Sequence, residues 1–292
     1  MINWTNNMKR FVLITNTTKD PTGKLTDQAR QIIESNGGIC QACLFNGKNG
    51  RNAYSRINPR SIPKDTDLVI SLGGDGSLLH TAKDLLDLNI PIMGINLGTL
   101  GYLTEMDLTG FREEFKNIMS GACHVEERML LKGSIIRDDK IIKEDIAIND
   151  IVLNRLGTMS IIKFDVMVNN RFLNSYNADG YIVCSPTGST GYNLSAGGPV
   201  AHPVSEVIIT TPICEHTLNS RSVVFSADAQ IDIIVRQKED EEKQIKAISF
   251  DGGNAIALKN GDIVRITAAD KKMLNLRLDK LSFVEHLGKK MR

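Results

Sequence analysis

Two rhythms of apolar and polar positions divide this chain. Up to about Cys123, short apolar runs alternate with stretches in which apolar residues return every three or four positions. RFVLITN (10–16), Cys40–Phe45, Leu68–Leu72 and Pro91–Asn96 read as strands. Thr26–Ser35, Ser77–Leu86 and Gly110–Ser120 read as helices, the first stopped by Gly37-Gly38 and the last by Gly121. The polar stretch from Asn46 to Lys64 reads as a loop. Strand–helix alternation of this kind predicts a parallel sheet with helices on its faces.

From Glu126 the period shortens to two. MLLKGSIIR, IAINDIVLN, SIIKFDVMV, YIVCS, QIDIIVR and DIVRITA are short, β-rich and separated by turn residues. Asp138-Asp139 and Asn169-Asn170 have the composition of hairpin turns. The charged run Gln237–Lys243 reads as a solvated hairpin tip. The expected organisation is an α/β domain over 1–125, an antiparallel all-β domain over 126–270, and a tail, 271–292, whose alternating stretch Met273–Leu281 packs back on the first domain.

Composition narrows the functional classes. With 292 residues, 41% hydrophobic and 24% charged, the chain has the make-up of a soluble globular protein. A net charge of +1 argues against nucleic acid or membrane lipid as a bulk partner. The start, MINWTNNMKRFVLITN, lacks a signal-peptide apolar run, and no stretch is long enough to span a bilayer, so a cytoplasmic location is expected. Five cysteines include a C-x-x-C at Cys40 and Cys43, but no second pair completes a zinc site. ICQACLF alternates like a strand, and both thiols are read as strand residues; no protein metal site is expected.

The chemistry concentrates in four clusters. LVISLGGDGSLLHTA (68–82) runs from an apolar strand through Gly73-Gly74-Asp75-Gly76 into a helical pattern at Ser77. Such a glycine turn welcomes phosphate, because free N–H groups and the helix dipole point outward. The carboxylate of Asp75 repels phosphate there, unless it serves as a proton acceptor or metal ligand. NLGTLGYL (96–103) is a second glycine loop after a strand, and both would sit at the ligand-binding ends of parallel strands. NDIVLN (149–154) opens with an adjacent amide and carboxylate. ADGYIVCSPTGSTGYNLSAGGPVAHP (178–203) carries hydroxyls and glycines at a density that suits phosphate or ribose. P-loop and G-x-G-x-x-G fingerprints are both absent.

Taken together, GGDGSLLHTA, NLGTLGYL, the pair Asn149-Asp150 and DGYIVCSPTGSTGYNLSAGGP resemble the ATP-dependent NAD kinases of bacteria. PICEHTLNSR (212–221) and FDGG (250–253) are similar to further segments of that family. The resemblance implies a Rossmann-like N-terminal domain, a β-rich C-terminal domain, NAD held between them, and a homotetramer or homodimer. It implies transfer of the γ-phosphoryl group of ATP to the 2′-hydroxyl of the adenosine ribose, with Mg²⁺ or another divalent cation accompanying ATP. Polyphosphate stays open as a second donor.

By motif, the resemblance makes Asp75 the acceptor of the hydroxyl proton; a carboxylate is a weak base, which suffices for late proton removal in a loose transition state. Gly73, Gly74, Gly76 and Ser77 fall to the phosphates. Asn149 and Asp150 fall to the NAD adenosine, the amide on adenine and the acid on ribose hydroxyls, although glutamate is common in the family where Asp150 stands. Asp179 is expected near the nicotinamide end. Ser189, Thr190, Tyr192 and Asn193 of the STGYN run, together with Tyr102, complete the NAD contacts. His80, His202 and His216 receive no catalytic role. The competing readings are a lipid or small-alcohol kinase of the same GGDG superfamily, which needs an apolar substrate cavity, and a non-catalytic NAD or NADP sensor, which would tolerate loss of Asp75.

Overall fold

The structure, a computed structural model, describes residues 8–45, 56–98, 101–157, 160–217, 220–236, 245–278 and 283–290. Most of the expected 46–64 loop, the expected 237–243 hairpin tip and residues 279–281 of the returning tail lie outside them. Two compact units divide the chain: one combines the residues up to Glu127 with those from Met273 onward, and the other is Arg128–Lys272.

In the first unit β1 (Arg10–Asn16), α1 (Lys24–Ser35), β2 (Ile39–Phe45), β3 (Leu68–Gly73), α2 (Asp75–Leu85), β4 (Ile92–Asn96), β5 (Met106–Asp107) and α3 (Leu108–Ser120) follow in order. The strands lie β2-β1-β3-β4, every pairing parallel, with β5 added beside β4. Alternation along the strands sorts their side chains. Phe11, Leu13, Leu68, Ile70 and Leu72 form one core with Ile32 and Ile33 of α1 and Phe111 and Phe115 of α3. Ser71 points the other way, its Oγ 3.2 Å from Thr81 Oγ1 of α2, so α2 covers the opposite face. α3 starts where Asp107 accepts the Gly110 N–H, and stops at Gly121, whose φ of 78° suits a residue without Cβ.

The second unit is antiparallel throughout. It holds β6 (His124–Arg137), β7 (Lys140–Ala147), β8 (Asp150–Leu156), β9 (Ile162–Val168), β10 (Arg171–Ala178), β11 (Gly180–Cys184), α4 (Tyr192–Ser195), β12 (Val207–Ile213), β13 (Val223–Ser226), β14 (Ile231–Arg236), β15 (Ile245–Phe250), β16 (Ile256–Leu258) and the first part of β17 (Ile263–Arg277). One sheet runs β10-β9-β14-β17 and the other β13-β12-β11-β8-β15-β16. Both expected hairpins form, with Asp138-Asp139 and Asn169-Asn170 all at positive φ, the mirror-image turn that matches strand twist. The core includes Phe164, Tyr176 and Tyr181, whose ring centroids lie 5.0–5.4 Å apart. β11 is buried on both faces. Tyr181 and Val183 face that core, while Ile182 and Cys184 join Val152 and Ile209 beneath Ala196 and Ala201. The glycine- and hydroxyl-rich segment is thus the lid on the outer face of this sheet.

Three features depart from the pattern reading. α2 begins at Asp75 rather than Ser77, because extended Gly74 takes the cap position and its carbonyl accepts the Ser77 and Leu78 N–H groups. The polar segment after β11 contains a 3₁₀ turn, Thr187–Thr190, and α4, both too short to show a period. The tail ends in a helix, α5 (Phe283–Lys290), which the alternation of 273–281 does not announce. Cys40 and Cys43 lie three apart on β2 and therefore on opposite faces, and all five cysteines are free. Among the described residues no helix is long and apolar enough to cross a membrane.

The returning residues are tied to the first unit by polar contacts as well as packing. Asn275 pairs in parallel with Ile92 of β4. Arg277 Nη1 lies 2.9 Å from the Glu105 carboxylate, both side chains nearly buried, and the Leu278 N–H donates to the same carboxylate. Removing one partner from a buried pair leaves an uncompensated charge, so Arg277→Met should lower unfolding free energy by about 3 kcal/mol. Urea titration followed by circular dichroism measures this, and an unmoved midpoint would show that the pair contributes nothing.

Candidate active site

In the first unit, the end of β3 sets the site. Gly73 has no room for a Cβ, which would stand 2.3 Å from Ser77 Oγ. At Gly74 and Gly76 an added Cβ meets nothing within 4 Å, so the protein's own packing does not demand glycine there. That open space is what a closely approaching phosphate at a helix N-terminus requires. Ser77 itself is buried, and its Oγ accepts from Asn16 Nδ2 at 3.0 Å. It braces α2 against the end of β1 through its hydroxyl.

Asp75 occupies the first position of α2, where the helix dipole favours an anion. Its carboxylate gathers three consecutive backbone donors: Tyr102 N–H to Oδ2 at 2.7 Å, and Leu103 and Thr104 N–H to Oδ1 at 3.1 and 3.2 Å. The glycine loop after β4 is thereby pinned to the GGDG turn. Gly101 is part of the fit, since a Cβ there would sit 1.8 Å from Asp75 Oδ1. A carboxylate offers about four acceptor positions. Three are occupied by these N–H groups, leaving one on Oδ2 for a ligand hydroxyl.

In the second unit, the segment from Ile148 to Asp150 enters β8 with its backbone clamped from both sides. Asp251, at φ 50° just past β15, accepts the N–H groups of Ile148 at 3.0 Å, Asn149 at 2.7 Å and Asp150 at 3.3 Å. The Asp251 N–H returns a bond to the Asp150 carbonyl. Ser185 takes the other two carbonyls, its Oγ donating to Ile148 at 2.6 Å and its N–H to Asn149 at 2.9 Å. Every backbone polar group of 148–150 therefore has a partner within the protein. Gly188 lies flat on this segment, where a Cβ would come 2.1 Å from the Asn149 carbonyl oxygen.

The side chains of the pair are left for something else. Asn149 Oδ1 is buried without a hydrogen-bond partner among the described residues, and so is Thr187 Oγ1. Asp150 is buried, and its carboxyl is pushed up to about 7, first by burial and then by the negative charge of Asp251. The neighbouring Cys184 thiol is pushed up by burial and by Asp150. A Cβ on Gly191 would stand 3.7 Å from Asn149 Nδ2 and 4.0 Å from Asp150 Oδ2, which places this turn beside both side chains.

The remaining residues singled out by sequence divide into two sets. Thr190 is half-buried with its hydroxyl on the Thr187 carbonyl at 3.4 Å, Tyr192 is 42% exposed, and Tyr102 is half-buried beside Asp75. These can meet a ligand. Ser189 and Asn193 are fully buried and act as braces. Ser189 Oγ bonds the Pro186 carbonyl and Ala201 N–H; Asn193 bonds the Ser189 and Pro199 carbonyls and the Thr211 hydroxyl. Asp179 is held by Arg155, with Nε to Oδ1 at 2.8 Å and Nη2 to Oδ2 at 3.3 Å. His80 lies against Phe45 with the rings tilted by 45° and 5.2 Å between centroids, and its Nε2 is 3.5 Å from Asp84. Asp251, Ser185 and Gly101 were not assigned from sequence. All three stand in segments already noted: Asp251 in FDGG, Ser185 in 178–203 and Gly101 in 96–103.

Residues 18–123 match the family model of the ATP-NAD kinase N-terminal domain, and 148–278 that of the ATP-NAD kinase C-terminal domain. The NAD kinase of Lachnospira eligens is 38% identical over 97% of this chain and 100% of its own length; that of Lachnoclostridium phytofermentans is 35% identical over 97% and 99%. In fold, the chain is similar to yeast NADH kinase complexed with NADH (TM-score 0.80, 21% identity, 98% of this chain and 88% of that one). It is also similar to an Archaeoglobus fulgidus NAD kinase in complex with ATP (TM-score 0.71, 24% identity, 97% and 98%). With an aspartate at the head of a glycine turn in one unit, a clamped Asn-Asp pair in the other and both domain models matched, the chain belongs to the ATP-NAD kinase family.

Proposed function

We propose that this chain transfers the γ-phosphoryl group of ATP to the 2′-hydroxyl of the adenosine ribose of NAD, giving NADP, with Asp75 accepting the hydroxyl proton. The observation that supports this most is the segment 148–150, whose satisfied backbone leaves a buried, unpaired Asn149 Oδ1. An acceptor in that position suits the exocyclic amino group of adenine. Asp150, able to hold or release a proton near neutrality, suits the ribose hydroxyls. Thr190, Tyr192 and Tyr102 add contacts to the nucleoside, and Asp179 reaches the nicotinamide end with the acceptor positions that Arg155 leaves open.

ATP phosphates lie over Gly74 and Gly76, against the N-terminus of α2. Mg²⁺ or another divalent cation enters on those phosphates, since this ion sheds water reluctantly and is commonly held by substrate oxygens. Among the described residues no cluster of three acidic, histidine or cysteine side chains is placed to cage it. What the protein contributes to the chemistry is position: Asp75 is immobilised by the 102–104 N–H groups, so its remaining Oδ2 acceptor meets the hydroxyl without reorganising. Family membership also supports a cytoplasmic enzyme that assembles as a homodimer or homotetramer.

Asp75→Asn should cut turnover by about 10²–10⁴-fold, the usual range for a lost general base, with a smaller rise in the NAD constant because its NH₂ opposes an N–H of the 102–104 run that carries Tyr102. An NADP-coupled dehydrogenase assay reads this directly, and wild-type turnover would remove Asp75 from the role. Asp150→Ala should raise the apparent KM for NAD roughly ten- to hundredfold, the cost of an unmade buried hydrogen bond, and leave that for ATP in place. A raised ATP constant with an unmoved NAD constant would reassign the segment. The regiochemistry has its own test. NAD lacking only the adenosine 2′-oxygen should inhibit competitively against NAD and never accept label from γ-labelled ATP, whereas label on the analogue would identify another hydroxyl as the acceptor.

A further inference from the structure

We propose that Asp251 is a positioning residue for NAD recognition: its one carboxylate collects the N–H groups of Ile148, Asn149 and Asp150, aims the Asn149 amide, and places a fixed negative charge beside the Asp150 carboxyl, so that NAD affinity follows the proton on Asp150. This deepens, and rests on, the assignment of Asn149 and Asp150 to NAD.

The geometry asks for an aspartate. Three converging N–H groups need two acceptor atoms and no donor, which only a carboxylate supplies. An asparagine in the same place would turn its NH₂ against at least one of these N–H groups. The residue also sits at φ 50°, a left-handed conformation that aspartate tolerates better than most residues. Gly252, the next residue, continues at φ 65°. A glycine at 251 would suit the turn equally well, so the backbone alone does not account for the side chain. The return bond from the Asp251 N–H to the Asp150 carbonyl locks the two residues face to face at the end of the β8–β15 ladder.

The electrostatic consequence follows from the same contact. The titratable groups bearing on Asp150 are Asp251, from the turn after β15, and the Cys184 thiol, from β11. The Gly191 turn, which lies beside Asn149 and Asp150, carries no charge. Ionised Asp150 makes charge-assisted bonds to ribose hydroxyls, and protonated Asp150 makes weaker ones. Its carboxyl, raised from 3.8 to about 7, is largely protonated below neutrality. Apparent NAD affinity should therefore climb as pH rises through about 7. Removing the like charge at 251 leaves only burial to raise Asp150, and the transition should move to lower pH.

The test measures kcat and the apparent KM for NAD and for ATP from pH 5.5 to 8.5 in wild type, Asp251→Asn and Ser185→Ala, with thermal melts to establish folding. Both variants loosen the 148–150 backbone, and each should raise the NAD constant roughly tenfold or more while the ATP constant holds. Only Asp251→Asn should shift the pH midpoint of the NAD constant, and toward acid; Ser185→Ala keeps the charge and should keep the midpoint. Unchanged NAD constants in Asp251→Asn, or a uniform fall in all parameters with no midpoint shift, overturn the inference. If Asp251→Asn does not fold, calorimetry of NAD binding to wild type at pH 7 in buffers of different ionisation enthalpy decides. Proton release that Asp150→Asn abolishes supports the coupling, and its absence overturns it. Failure of the underlying assignment looks different: Asp150→Ala would then leave the NAD constant unmoved, whatever the Asp251 variant does.

Discussion

A run of backbone N–H groups pointing the same way cannot be buried without an acceptor, and this protein supplies the acceptor twice with a single carboxylate. Asp75 collects 102–104 and Asp251 collects 148–150. Asp20 does the same on a smaller scale for Leu25 and Thr26 at the start of α1. In the first two cases a loop at the end of a strand, which has lost its ladder partners, is fixed by one acidic side chain from elsewhere in the sequence. The glycines follow from this arrangement. Gly101 and Gly188 must lack side chains because a carboxylate or a clamped carbonyl lies where Cβ would be.

The same device separates two carboxyl groups in one small region. Asp251 accepts three backbone N–H groups, whereas Asp150 is buried beside it and titrates near neutrality. Neighbouring acids with opposed environments are suited to different tasks. Asp179 shows a third solution, a two-point bond to Arg155 at the start of β11.

Much of the architecture was legible because period and turn chemistry agreed. β1, β3 and β4 are short apolar runs, and Asp138-Asp139 and Asn169-Asn170 are residues that accept positive φ. The start of α2 was misplaced by two residues, since Gly74 caps it without a side-chain signal. α4 is a single turn and carries no period. Of the candidate site, Asp75 stood out by its setting among glycines, and Asn149-Asp150 by the adjacent amide and carboxylate and by resemblance. Ser77, Ser189 and Asn193 were grouped with the ligand contacts, yet their polar atoms brace the loops. A hydroxyl or amide in a glycine-rich run satisfies buried backbone as readily as it binds a nucleotide, and only coordinates distinguish these uses. Asp251 escaped assignment because its partners lie about a hundred residues earlier in the chain.

The order in which the ribosome delivers these parts carries a consequence. Glu105, one residue beyond the run of N–H groups held by Asp75, is anchored by Arg277 and Leu278. The second unit is therefore complete in the nascent chain before the first one is. GGDG and its loop are synthesised early, but they wait unfinished while about 170 further residues emerge, and a prematurely terminated chain would have a complete second unit and a 102–105 loop without its C-terminal anchor.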